Sequence, residues 1–188
     1  MNQETDDCAK TFHNLIAAIQ RGQINVYEYL LERISIVSDQ WDSNDIAKGV
    51  HSILVSEHFQ KNRHSSVFFV TLKFDLWPIL AEPERQYIAQ VLSEVYPRFS
   101  EEATCMQALE AIADTCPATF VNTMRSLVKI CDEKQMALIP YGLYYFCKNY
   151  SESHKYSEAN ALLNELANVQ SKIVRAEAQF HMAKLNHA

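Results

Sequence analysis

Val67-Phe68-Phe69-Val70-Thr71-Leu72-Lys73-Phe74-Asp75-Leu76-Trp77-Pro78-Ile79-Leu80 is the stretch on which the fold class turns. Val70, Leu72, Phe74 and Leu76 alternate with Thr71, Lys73 and Asp75 at strand period, and the residue types favour extended backbone. A strand needs a neighbour, because its backbone N–H and C=O groups find no partner within the segment. No second segment with strand periodicity accompanies it. The stretch therefore reads as a mostly buried central helix, kinked or ended by Pro78.

Outward from it, apolar residues recur every three or four positions on both sides. Thr5 is the expected N-cap of the first helix, with Asp6 and Asp7 in its first turn and Phe12, Leu15, Ile16 and Ile19 on its buried face; Gly22 ends it. Asn25 and Glu28 have capping-box spacing ahead of a stripe of Tyr27, Leu30, Leu31, Ile34 and Val37, in a helix that stops near Asp39. Asp42 opens a third helix, with Asp45 three residues on, that carries Ile46, Val50, Ile53, Leu54 and Phe59 and tolerates Gly49 at about 1 kcal/mol relative to alanine. Pro83 sits near the start of a helix over 84–96, Ser100 caps one over 101–115, Pro117 precedes one over 118–135, and Pro140 precedes an aromatic run. The expectation is one all-α domain over residues 1–188, with about eight or nine up-and-down antiparallel helices in a helical-repeat-like stack or bundle. Its parts are helices over 5–80 that include an acidic Trp41 loop, proline-punctuated pairs over 83–135, and a hairpin plus a long terminal helix over 139–187.

Composition narrows the function classes. Three glycines in 188 residues leave no material for phosphate-cradling loops or nucleophile elbows, which need positive φ or close backbone approach. Five widely spaced cysteines, Cys8, Cys105, Cys116, Cys131 and Cys147, form no Cys-x-x-Cys pair and read as reduced, buried core thiols. Glu4, Asp6 and Asp7 stand where a signal peptide would be basic, so a cytoplasmic location is expected. No window reaches the length of an uninterrupted apolar membrane span. The net charge of −6 opposes docking on nucleic acid, and residues 1–50 hold eight acidic side chains against four basic ones. Neither Glu-x-x-His nor His-Glu-x-x-His occurs, and no metal or cofactor is expected.

From Leu143 the pattern tightens: Leu143, Phe146, the small Cys147, Tyr150, then Tyr156, Ala159 and Leu163. This hairpin resembles a tetratricopeptide repeat, in which two antiparallel helices pack small residues where they cross. Ser171 stands where a closing proline is common and Leu166 where another alanine would be. The resemblance covers the last fifty residues, and it implies protein or peptide binding. Beyond it, Ala159, Leu162, Leu166, Val169, Ile173, Ala176, Phe180 and Ala183 step by three and four, a heptad seam over 159–183. That seam reads either as packing within the chain or as a homodimer contact.

Two clusters are candidate docking sites. Asp39, Trp41, Asp42 and Asp45 set an indole among carboxylates in a loop, where it either anchors a basic partner or folds back onto the core. Glu101 and Glu102 extend the acidic surface. Tyr144, Tyr145 and Tyr156 belong to a run of rings denser than one buried stripe absorbs, which suits a peptide groove. Lys73 and Asp75 read either as buried ionisable groups with catalytic tuning or, on a helix, as side chains that both reach the rim. The leading expectation is a non-enzymatic module that binds a basic protein, an immunity or antitoxin-type inhibitor being one concrete form. An adaptor or secretion chaperone, or an all-helical enzyme with a site assembled from separate helices, are the alternatives.

Overall fold

The computed structural model describes residues 7–187, and every regular element among them is helical. The chain divides into two compact units, one ending at Thr104 and the other beginning at Cys105. The first holds α1 (Cys8–Gln20), α2 (Ile24–Val37), α3 (Ser43–Leu54), α4 (Glu57–Gln60), α5 (Ser65–Thr71) and α6 (Glu82–Val95). A π-helical segment at Leu72–Leu76 and 3-10 turns at Ser38–Gln40 and Tyr96–Arg98 join them. The division falls within α7 (Glu102–Thr115), and α8 (Phe120–Ile130), α9 (Glu133–Met136), α10 (Ile139–Asn149), α11 (Tyr156–Leu166) and α12 (Lys172–Asn186) follow. The described residues thus hold twelve α-helices where eight or nine were expected, the surplus being the short α4, α5 and α9.

In the first unit, Asp7 caps α1 rather than sitting inside its first turn, accepting hydrogen bonds from the N–H groups of Ala9 and Lys10. The expected cap Thr5, and Asp6, lie outside the described residues. Gly22, at φ +66°, closes α1 in a Schellman turn: its N–H donates to Ile19 and that of Gln23 to Ala18. That turn delivers the chain straight into α2 at Ile24, so Asn25 lies inside the first turn and its capping box does not form. Val37, expected on the buried stripe, is half-buried. Asp42 caps α3 as the sequence implies, but α3 ends at Leu54; Phe59 belongs to α4, beyond a turn.

The stretch that decides the fold class is helical. Among its buried side chains, which also include Phe69, Thr71 and Trp77, the apolar set Phe68, Leu72, Leu76 and Leu80 steps by four. Four residues of an α-helix overshoot one turn by about 40°, which would carry a step-of-four stripe off its face. The π segment widens the turn and keeps the stripe on the core, with the Trp77 N–H reaching the Leu72 carbonyl. Pro78 follows directly and ends the helix. Phe59, Phe68, Phe69 and Phe99 meet mostly edge to face, with centroids 5.5–6.3 Å apart, at the centre of this unit.

In the second unit, α10 packs on α8, α11 and α12. Phe120 stacks on Phe146 at 4.8 Å, and Leu143, Cys147, Ala159, Leu163, Val174 and Ala178 are buried in the same unit. Three expected helices are corrected here. The helix over 118–135 breaks at Cys131, because Asp132 and Gln135 form a capping box that starts α9. Pro117 lies in the turn before α8, and α7 begins at Glu102, one residue later than expected. The long terminal helix breaks between Leu166 and Lys172, where Ser171 caps α12 by accepting from the Val174 N–H. The seam over 159–183 is consequently not one face: Ala159, Leu162 and Leu166 are buried, while Ile173 and Phe180 are each 53% exposed. Three of the five cysteines are buried; Cys116 and Cys131 are half-buried rather than core residues.

Candidate functional site

Asp7 and Asp42 cap α1 and α3, two helices that pack side by side, so the N-terminal ends of both face one cleft of about 560 Å³. Phe12, Cys8 and His13 of α1 line it on one side. Trp41, Asp42, Asp45, Lys48 and Gly49 line it on the other. Phe12 and Trp41 form its aromatic wall, with centroids 6.1 Å apart at 52°. Trp41 is half-buried: part of the indole packs toward Phe12 and part borders the cleft.

Gly49 makes this geometry. A β-carbon there would stand 2.1 Å from Cδ2 of Phe12, whose ring is 1% exposed and held in the core. Only a residue without a side chain lets the phenyl ring lie against the α3 backbone.

The charge balance is moderate. Three carboxylates against the Lys48 ammonium, which pairs with Asp45 at 3.2 Å, leave two negative charges. The positive ends of the two helix dipoles partly offset these charges, so the described lining keeps a modest negative excess. The Cys8 thiol is pushed up to about 12, first by burial and then by Asp45 and Asp7. It stays protonated at neutral pH and is no nucleophile.

The expected site residues fall in three places. Trp41, Asp42 and Asp45 line the cleft, and exposed Asp39 sits in the adjoining 3-10 turn. Glu101 precedes α7 and Glu102 is its first residue. Tyr144, Tyr145 and Tyr156 belong to the second unit. There the tyrosine run is largely engaged with α7: Tyr145 donates to Asp114 at 3.0 Å, Tyr150 to the same carboxylate at 2.7 Å, and Tyr141 to Glu110. Tyr144 packs on the His181 ring at 5.2 Å, and half-buried Tyr156 opens α11. Asp75 is only part-buried and accepts from Ser35 Oγ at 2.7 Å, tying the π segment to α2.

Sequence reasoning did not single out Asp7, Phe12, Lys48 and Gly49 as members of the site. The signal available was Gly49 itself, a glycine on the buried face of an amphipathic helix. His181 is 6% exposed, and burial, helped by Lys184, lowers its pKa to about 4. Among the described residues, no group of three or more His, Cys, Asp or Glu side chains is arranged to hold a metal ion, and no helix is long and apolar enough to cross a membrane. Comparison with known protein families, with curated proteins and with solved structures finds no match to this chain.

Proposed function

We propose that this all-helical chain is a non-enzymatic protein-binding module whose cleft beside Trp41 receives a cationic side chain of a basic partner. The observation that carries the reading is the pairing of an aromatic wall, Phe12 and Trp41, with a rim of Asp7, Asp42 and Asp45. That modest negative excess favours a cation only weakly by itself. An indole face adds a cation–π contribution of about 1–2 kcal/mol once the site is closed to water, and a flat guanidinium suits it best. An arginine of the partner is thus the preferred occupant. Asp39 and the acidic surplus of the first fifty residues steer its approach.

The resemblance of the last fifty residues to a tetratricopeptide repeat supports the same class of function. α10 and α11 form a hairpin with Cys147 and Ala159 buried at its packed face, and Ser171 opens a following helix where a repeat would close. An inhibitor that covers the substrate site of a nuclease-like toxin is the concrete form proposed, because such a target is basic and fast association protects the cell. The cytoplasm is the setting proposed, since it keeps five widely spaced thiols reduced.

The test is affinity capture from the native host with the parent chain and with Trp41→Ala and Asp39→Lys variants. A basic protein recovered by the parent and depleted by both variants supports the proposal. Equal recovery in all three moves the interface elsewhere.

A further inference from the structure

The two halves of the predicted heptad seam have opposite fates. Ala159, Leu162 and Leu166 are spent on the core of the second unit, at 0–3% exposure. After the break at Ser171, the core-facing positions of α12 are Val174, Ala178 and His181, each two residues before the seam positions Ala176, Phe180 and Ala183. The seam positions Ile173, Ala176, Phe180 and Ala183 are consequently all exposed. They keep heptad spacing along an exposed face, and Ile173 and Phe180 are two of the larger exposed apolar side chains among the described residues, at 53% each. A periodic apolar stripe along an exposed helix is the pattern of a helix–helix seam.

The charges beside the stripe say what covers it. Glu177 and Lys184 occupy equivalent flanking positions seven residues apart, and the glutamate side chain is 46% exposed. Laid antiparallel on itself about Phe180, α12 sets Glu177 of each copy opposite Lys184 of the other, two reciprocal ion pairs, with the helix dipoles opposed. The Lys184 ammonium rests 4.2 Å from the centre of the Phe180 ring, and pairing moves it off that ring toward the Glu177 carboxylate of the second copy. We infer that α12 pairs antiparallel with α12 of a second copy of this chain through Ile173, Ala176, Phe180 and Ala183. This surface lies in the second unit and is independent of the Trp41 cleft. A 15-residue helix offers less than the ~800 Å² per partner of a standard stable complex, so the pairing is weak and concentration-dependent.

Sedimentation velocity of the full chain, from low micromolar to submillimolar concentration, tests it. The expected result is a weight-average sedimentation coefficient that rises toward a dimer in the parent and stays at the monomer value in an Ile173→Glu/Phe180→Glu variant whose circular dichroism is unchanged. Glu177→Lys turns both reciprocal pairs into like-charge contacts and should weaken association about tenfold, 1.4 kcal/mol for the two together. Adding Lys184→Glu to it should restore association. A parent that stays monomeric throughout, or association that survives the Ile173→Glu/Phe180→Glu change, overturns the inference. Restoration of the Glu177→Lys variant by Lys172→Glu in place of Lys184→Glu overturns the antiparallel arrangement.

Discussion

Replacing Gly49 by alanine tests the packing that builds the cleft, because two physical arguments give opposite signs. An alanine in a helix interior is favoured over glycine by about 1 kcal/mol, so a glycine merely tolerated in α3 would make Gly49→Ala stabilising. The structure puts the new β-carbon 2.1 Å from Phe12 Cδ2 and within 2.6 Å of two further ring atoms. Carbon atoms pack at about 3.5–4.0 Å, so the ring must retreat by more than an ångström into a core where it is 1% exposed. Overpacking of this kind costs about 3 kcal/mol at its upper range, and the propensity gain leaves a net loss of about 2 kcal/mol. Urea denaturation reads this as a lower midpoint at unchanged slope. The double-mutant cycle with Phe12→Ala separates the contact from its surroundings: the alanine at 49 should cost little once the ring is gone. A Gly49→Ala variant as stable as the parent, or more so, would refute the placement of Phe12 against α3 and the cleft with it.

Other outcomes follow from the same structure. His181 is held neutral down to about pH 4, whereas the unfolded chain protonates it near 6.5, so the contribution is intact above pH 6.5 and is lost as pH falls toward 4. At 1.36 kcal/mol per pH unit the loss is capped at about 3 kcal/mol, and it should vanish from the pH dependence of the urea midpoint in His181→Phe. Cys8, with its thiol near 12 against an ordinary 9.0, should be alkylated about a thousandfold more slowly at neutral pH than an unperturbed thiol, read residue by residue by mass spectrometry. Arg125 and Glu165 form a bidentate pair at 2.8 and 3.0 Å between α8 and α11, but 41% and 55% exposure screens it. Arg125→Ala should therefore shift stability by no more than ~1 kcal/mol, and a larger drop in the urea midpoint would mean that the pair does more than bridge a solvated surface.

The helical class was legible in the sequence because it rests on an argument by partners: one strand-like stretch with no second strand has nowhere to send its backbone hydrogen bonds. What that argument could not show was the π segment, which reconciles the step-of-four stripe from Phe68 to Leu80 with a helix. Helix starts marked by a side-chain cap were readable at Asp42. They were not readable at Ile24, where the Schellman turn at Gly22 sets the boundary, because backbone geometry leaves no mark on Asn25 and Glu28. The seam over 159–183 shows the limit of periodicity: the spacing continues through Ser171, whereas the helix does not, and the phase of burial changes across the break. In the cleft, Trp41, Asp42 and Asp45 were visible as a local cluster. Asp7, Phe12 and Gly49 were not, because their meeting depends on how α1 packs against α3, more than thirty residues apart in sequence.

The cleft's proposed role is tested most directly by Trp41 emission in a Trp77→Phe variant, titrated with an arginine-rich peptide and with an acidic peptide of equal length. The account predicts a saturable change with the arginine-rich peptide alone, weakened by added salt and abolished by Asp42→Lys/Asp45→Lys. An emission that ignores both peptides, or responds to them equally, would contradict it.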